Sequence, residues 1–254
     1  MCGRYTIFGR RALTQEEMRD AELSDRRPPR SVERELRWTV EFMGVGIDMA
    51  PIFDASPTQM LPIFRDVPDL DALAPARWGL VPFWWRGAAS ELHYTFNARA
   101  ETIDTSKAYR DPFRRRRCLV PMNGFYEWQE TPSGKVRHLV RVASAELFAC
   151  AGIWDEWKQP DGTPLRSFSI VTCPANELMA VVHFRRGKEP RMPAILDGAD
   201  LFHWSDPDAG IEPAVLKAML KPFPSEAMIA YPVRSRADKP EDLLEPIGPA
   251  VKPA

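Results

Sequence analysis

Proline sets the first limit on this chain: 25 of its 254 residues are Pro, about twice the usual share. Each one fixes φ and removes a backbone N–H donor, so it breaks a helix interior and is excluded from central strands. The chain is therefore cut into short elements joined by stiff turns. That argues against a helical bundle and for an irregular, strand-rich fold. At this length one large domain or two small ones can form around a substantial core. No internal repeat or dividing linker is visible. The expected architecture is α+β: a single domain over residues 1–235 with an antiparallel, barrel-like β core flanked by short helices. A loose polar tail over 236–254 follows it.

Along the chain, strands are expected at 2–8, 136–142, 147–157, 168–172 and 228–233, and helices at 175–180, 200–204 and 213–220. Thr14-Gln15-Glu16-Glu17 is a capping box that opens a helix toward Glu22. Residues 25–37 are charged and proline-bearing, an exposed insertion. Residues 51–62 carry three prolines and read as a loop over a surface. Arg77-Trp78-Gly79-Leu80-Val81 reads as a buried strand, and Pro82-Phe83-Trp84-Trp85 as a loop, because adjacent tryptophans cannot both face one core from a strand. A helix is expected through the arginine cluster. Asn123-Gly124, between apolar runs at 118–122 and 125–128, is a hairpin signal, and Asp161-Gly162 is a second turn.

Net charge is −1, so no global field draws the protein onto nucleic acid, and any such binding rests on a local patch. One candidate is Arg110 with Arg114-Arg115-Arg116-Arg117, although a lone arginine run is ordinarily a solvated helix face. Four widely spaced cysteines without Cys-x-x-Cys, and four histidines without ligand spacing, argue against a zinc site or a disulfide framework. With no leader-like start and no apolar run of spanning length, a reducing cytoplasmic location is expected, with no metal and no membrane partner.

Candidate chemistry begins at Met1-Cys2-Gly3-Arg4-Tyr5. Removal of Met1 would leave Cys2 with an α-amine and a thiol on adjacent carbons, two nucleophiles that titrate near ~8 and ~8.5. The plain alternative is a buried cysteine opening a strand. Glu127 lies between Tyr126 and Trp128, where desolvation would raise its pKa and suit it to proton transfer. Strand alternation allows equally that it faces solvent. His183 is followed by Arg185-Arg186-Gly187-Lys188, a basic setting that favours the neutral imidazole. Asn97 offers an amide that can orient a carbonyl or hydroxyl. Trp84 and Trp85 with Arg86 and Arg99 supply the stacking faces and phosphate partners of single-strand binding.

Taken in order, these pieces form a pattern. Met-Cys-Gly-Arg-Tyr is followed by Trp78-Gly79-Leu80-Val81-Pro82 with Trp84-Trp85, and by Asn97-Ala98-Arg99-Ala100-Glu101-Thr102. Arg117-Cys118-Leu119-Val120-Pro121 then leads to Gly124-Phe125-Tyr126-Glu127-Trp128, Thr172, and His183 with Arg191-Met192-Pro193. The chain resembles the SRAP family, SOS response-associated peptidases that process abasic sites in single-stranded DNA. The resemblance spans roughly residues 1–235. It implies that, once Met1 is removed, the Cys2 amine attacks the ring-opened aldehyde and the thiolate closes a thiazolidine. The resulting DNA–protein crosslink shields the site from strand cleavage. By the same resemblance Glu127 shuttles protons, Asn97 holds the N-terminus and the sugar hydroxyl, and His183 assists ring opening and reversal. Arg4, Trp84, Trp85, Arg99 and Arg191 match positions that grip phosphates or wedge bases apart. The implied protein is a monomer that needs no cofactor and joins the nucleoid when DNA-bound. The peptidase label refers to a proposed self-removal of Met1, and processing by a general aminopeptidase is an equally economical account because Cys is small.

Three departures stand out. Phe184 to Pro190 separates His183 from Arg191, where the family has one or two residues. Asp54-Ala55-Ser56-Pro57 replaces Asn-x-x-Pro, and a carboxylate there would repel phosphate unless paired. The stretch after Tyr231-Pro232-Val233 lacks the usual asparagines. Two other readings stay open: an N-terminal-nucleophile amidohydrolase, which also begins Met-Cys-Gly, and a non-covalent single-strand binder.

Overall fold

Strand-forming residues dominate, and the computed structural model is built mainly of short strands. It describes residues 2–8, 10–11, 38–42, 45–65, 73–206 and 210–252. The capping box at Thr14 and the 25–37 insertion lie outside the described residues. The strands in chain order are β1 (Tyr5–Ile7), β2 (Arg10–Arg11), β3 (Trp38–Phe42), β4 (Val45–Asp48), β5 (Ile52–Ala55), β6 (Met60–Phe64), β7 (Leu73–Trp78) and β8 (Asn97–Arg99). Then come β9 (Arg117–Met122), β10 (Gly124–Thr131), β11 (Gly134–Val142), β12 (Phe148–Lys158), β13 (Pro164–Pro174), β14 (Arg191–Pro193), β15 (Ile195–Leu196) and β16 (Met228–Pro232). Among the described residues four short α-helices accompany them: α1 (Arg110–Arg115), α2 (Glu177–Val182), α3 (Gly198–Ser205) and α4 (Pro213–Ala218). Among the described residues no helix is long and apolar enough to cross a membrane.

The chain divides into two compact units, residues 8–52 and residues 1–7 with 53–254. The smaller holds an antiparallel sheet in the order β2-β3-β4. The larger carries the α+β core. In it β13, β7, β6, β9 and β12 pair in sequence, and β12 returns to β13, closing a five-stranded barrel. The barrel is antiparallel except where β13 runs parallel to β7. A second sheet follows the order β16-β11-β10-β1-β5.

Trp78 ties the two sheets together. It is fully buried, its ring centroid lies 5.1 Å from Tyr5 of β1, and it stacks on Phe168 of β13 at 6.4 Å and 12°. Its indole N–H donates to the Phe96 carbonyl at 2.9 Å, so no polar atom is lost to burial. A ring of this size removes roughly 150–250 Å² from water, about 4–6 kcal/mol at ~25 cal/mol per Å². The start of the chain is thereby fixed against the barrel.

Two sequence expectations fail here. Residues 51–62 are not a loop, because β5 and the start of β6 lie within them. Asn123-Gly124 is not a hairpin turn. A two-residue type I′ turn needs positive φ at both positions, and neither residue has it. Instead β9 pairs with β12 while β10 pairs with β1 and β11, so the chain crosses between sheets at Asn123. The Asn123 amide pins that crossing by donating to the Glu146 carbonyl at 2.7 Å. The Asp161-Gly162 turn between β12 and β13 is present, with Gly162 at φ +88°.

The arginine run is only partly a surface feature. Arg110, Arg114 and Arg115 are exposed, but Arg117 is buried and donates to the carbonyls of Trp204, Phe113, Arg114 and Asp206. Arg116 pairs with buried Asp155 at 3.1 Å. Past β16 the chain stays along its sheet: Val233 bridges Pro246, and Val251 N–H donates to the Ala230 carbonyl at 2.7 Å.

Candidate active site

Cys2 is positioned by the strand that follows it. β1 pairs antiparallel with β10 (Tyr5 opposite Phe125, Thr6 opposite Gly124), and Tyr126 N–H continues the ladder to the Arg4 carbonyl at 2.9 Å. An antiparallel partner runs back past the chain start, so β10 carries Glu127 toward Cys2. Both residues are fully buried. Burial, with the Glu127 carboxylate next, pushes the Cys2 thiol well up, so it is held protonated at neutral pH. A nucleophilic thiolate here needs a base.

Glu127 does not face solvent, although alternation does send it away from Tyr126 and Trp128. The Tyr126 and Trp128 face of β10 is covered by Leu139, Val233, Tyr231 and Leu244, and by Arg137, whose guanidinium stacks on both rings. The opposite face is covered by α2. That helix starts at Asn176, whose side chain accepts the Met179 N–H at 2.8 Å as an N-cap, and buries Leu178, Met179 and Val182. His183 caps its C-terminus, with Nε2 3.9 Å from Glu127 Oε2.

The seven-residue separation of His183 from Arg191 does not part them. His183 Nδ1 lies 3.1 Å from the Arg191 N–H and 2.8 Å from the Arg191 carbonyl. In one tautomer Nδ1 accepts from the first; in the other it donates to the second. Either form of Nε2 therefore has backbone support, which suits a group that gives and takes a proton. Burial is the main cause lowering the His183 pKa; Glu127 opposes it, and Arg185 adds a smaller push in the same direction as burial. The imidazole is neutral near pH 7. Of the basic neighbours read from the sequence, Arg185 acts in the expected direction but is not the chief cause.

Asn97 opens β8, which lies parallel to β13 with Asn97 opposite Ile170. Its Nδ2 donates to the Cys2 carbonyl at 2.8 Å, and its own carbonyl accepts from Tyr109 O–H at 3.3 Å. Asn97 Oδ1 is buried with no hydrogen-bond partner among the described residues. Tyr109 was not legible in the sequence, because its role lies in a backbone contact.

The residues matched to DNA contacts fall into two groups. Trp84 and Trp85 are half-buried in the loop after β7, rings 6.3 Å apart at 67°, with Lys107 Nζ 4.3 Å over Trp84. Phe83 beside them is 55% exposed and was missed, although the Pro-Phe-Trp-Trp run in a loop was its signal. Arg99 is exposed on β8. Arg4 and Arg191 are engaged within the protein. Arg4 pairs with Asp54 at 3.0 Å, and Arg137 holds the other Asp54 oxygen at 2.5 Å. The carboxylate that replaces the family asparagine is thus neutralised on both sides. Arg191 is 1% exposed, bidentate to Glu101 at 2.9 and 2.8 Å, and donates to the Thr172 carbonyl at 2.8 Å. Among the described residues no group of three His, Cys, Asp or Glu side chains is arranged to hold a metal.

A model of the SOS response associated peptidase (SRAP) family matches residues 1–240. The abasic site processing protein YoqW of Bacillus subtilis is 31% identical over 245 residues, 95% of this chain and 96% of its own. The abasic site processing protein HMCES of Gallus gallus is 32% identical across 68% of this chain and 57% of its own. A crystal structure of a Bacteroides thetaiotaomicron protein superposes with a TM-score of 0.66 at 32% identity, covering 72% of this chain and 78% of that one.

Proposed function

Because the chain belongs to the SRAP family, we propose that it processes abasic sites in single-stranded DNA by forming a covalent thiazolidine through Cys2 after Met1 is removed. The observation that carries this reading is the clustering of three polar side chains around Cys2. Asn97 grips its carbonyl at 2.8 Å, and buried Glu127 and His183 stand 3.9 Å apart beside it.

The chemistry follows from what each group can do. The α-amine of Cys2 adds to the C1′ aldehyde of the open sugar. Loss of the resulting hydroxyl as water, with a proton from Glu127 or His183, gives an imine. The thiol then adds across the C=N bond: sulfur bonds to carbon, and its proton reaches nitrogen by way of the same pair. One water leaves in total, and no oxidant or reductant is needed. The thiol must be deprotonated at the moment of attack, because burial otherwise holds it in the unreactive form. Asn97 fixes the direction of the N-terminus and offers its free Oδ1 to the sugar hydroxyl. Retained Met1 would turn the amine into an amide and stop the sequence at its first step. Phe83, Trp84 and Trp85 supply stacking surfaces for unpaired bases, and Arg99 a phosphate partner.

The test is a denaturing gel with a single-stranded oligonucleotide carrying one abasic site. A slow-migrating covalent band is expected, absent in Cys2→Ala. A band that persists in the variant, or none from the wild type, refutes the mechanism.

A further inference from the structure

The loop from Phe184 to Pro190 is built into the site. It is tied to β10 by Glu130 N–H donating to the Phe184 carbonyl at 3.0 Å, and by Arg186 N–H donating to Glu130 Oε2 at 3.3 Å. It turns at Gly187, whose φ of +73° an L side chain rarely adopts, closed by Lys188 N–H to the Arg185 carbonyl at 3.1 Å. It ends with the Pro190 carbonyl accepting from Ala175 N–H at 3.2 Å. The loop is therefore anchored at both ends, and beside its first anchor it directs one side chain inward. Arg185 Nη2 lies 4.0 Å from Glu127 Oε2, with the side chain 30% exposed. Its Nε–H is buried without a hydrogen-bond partner among the described residues, so packing and charge, not a saturated network, hold the guanidinium there.

We propose that Arg185 is a further positioning residue: carried in by this loop, it holds the Glu127 carboxylate in register with His183 and adds a permanent positive charge on the imidazole side of the site. This rests on the crosslinking reading above. Two positive charges beside one buried carboxylate repel each other. With Arg185 permanently charged, a proton on His183 is the one that costs. The groups facing His183 can be named. Glu127 on β10 favours its charged form; the amino-terminal charge and Arg185 oppose it, and burial opposes it most. Arg191 meets the ring through its backbone, while its guanidinium is spent on Glu101, with Glu189 3.8 Å away. Glu130 is turned to the Arg186 amide. Arg185 is thus the cation beside Glu127 that belongs to the loop itself.

The experiment uses the full-length protein as wild type, Arg185→Gln and Arg185→Lys. His183 is titrated by NMR without DNA, and single-turnover crosslinking to a one-abasic-site oligonucleotide is followed from pH 5.5 to 8.5. In Arg185→Gln the His183 titration and the acid limb of the rate profile should both move up by about half a pH unit, and Arg185→Lys should restore both. Unmoved titration in Arg185→Gln overturns the inference, as does an equal loss at every pH that Lys does not restore. A wild type that forms no crosslink sinks the functional reading alone, since the titration still judges Arg185.

Discussion

Asn97 and Cys2, 95 positions apart in sequence, are joined by a 2.8 Å hydrogen bond from the Asn97 amide to the Cys2 carbonyl. That bond fixes the Cys2 carbonyl, and so limits the backbone positions from which its amine and thiol project. In Asn97→Ala the buried carbonyl loses its donor, which costs about 1–3 kcal/mol. The crosslinking rate should fall by more than this loss of stability accounts for, roughly 10- to 100-fold, as orientation is lost. Single-turnover kinetics beside a urea titration separates the two. A variant that melts early but crosslinks at the wild-type rate would show the bond to be structural only.

Stability should follow a plateau in pH with two edges. Burial raises the thiols of Cys2, Cys118 and Cys150, and that of Cys173 to about 12. Groups raised in the folded state stabilise it fully below their unfolded value and lose that contribution as pH rises. Unfolding free energy should therefore drop above pH ~8.5, by about 1.4 kcal/mol per unit for each thiol. His183 and His138 are lowered, mainly by burial. Their contribution is present above ~6.5 and lost as pH falls through their folded values. Urea midpoints from pH 5 to 10 test both edges, and Cys150→Ala should make the alkaline fall shallower. A flat alkaline side would mean that the thiols are not buried.

Removing exposed Phe83 or half-buried Trp84 should weaken DNA binding and spare the fold. Phe83→Ala or Trp84→Ala takes away a face that single-stranded bases can stack on, worth about 1–3 kcal/mol per base. Affinity for an oligonucleotide with a non-reactive abasic analogue should drop roughly 5- to 150-fold with little change in melting temperature. Arg99→Ala should instead reduce the slope of log affinity against log salt by about 0.7, one phosphate on a single strand. Arg191→Ala should change stability before it changes that slope, since its guanidinium is committed to Glu101 and Thr172. Equal salt slopes for Arg99→Ala and the wild type would remove Arg99 from the DNA path.

Some of this was legible in the sequence, for physical reasons. Strands β11, β12, β13 and β16 carry their own signals, because β-branched and aromatic runs between turn residues describe one sheet face locally. Glu127 was undecidable, because alternation says which side a residue takes but not whether α2 covers that side. Prolines misled at 51–62. Pro62 of β6 sits opposite Pro75 of β7, and both lie past the ends of the ladders these strands make with β9 and β13, where a missing N–H costs little. The loop at Phe184 looked like a displacement. Only the anchoring bonds to β10 reveal that it closes His183 back onto Arg191 and brings Arg185 with it.

Gly124 gives the sharpest check on the misread hairpin. A turn glycine needs left-handed φ, whereas Gly124 has none and sits in a strand. A Cβ added there would lie 2.8 Å from Leu139 Cδ1 and 2.9 Å from the Val140 carbonyl. The leucine tip can move; the backbone oxygen cannot without shifting the β10–β11 ladder, in which Phe125 faces Val140. Gly124→Ala should cost about 1–3 kcal/mol by overpacking, against near neutrality for Ala at an ordinary open site. The damage should reach the chemistry too, because β10 carries Glu127 three residues on and pairs with the strand that starts from Cys2. Gly134→Ala meets no atoms within 4 Å but sits at φ +126°, so it should lose comparable stability while crosslinking normally once folded. Measured side by side at matched stability, slower crosslinking in Gly124→Ala alone identifies close approach of β11, not turn geometry, as the reason for glycine at 124.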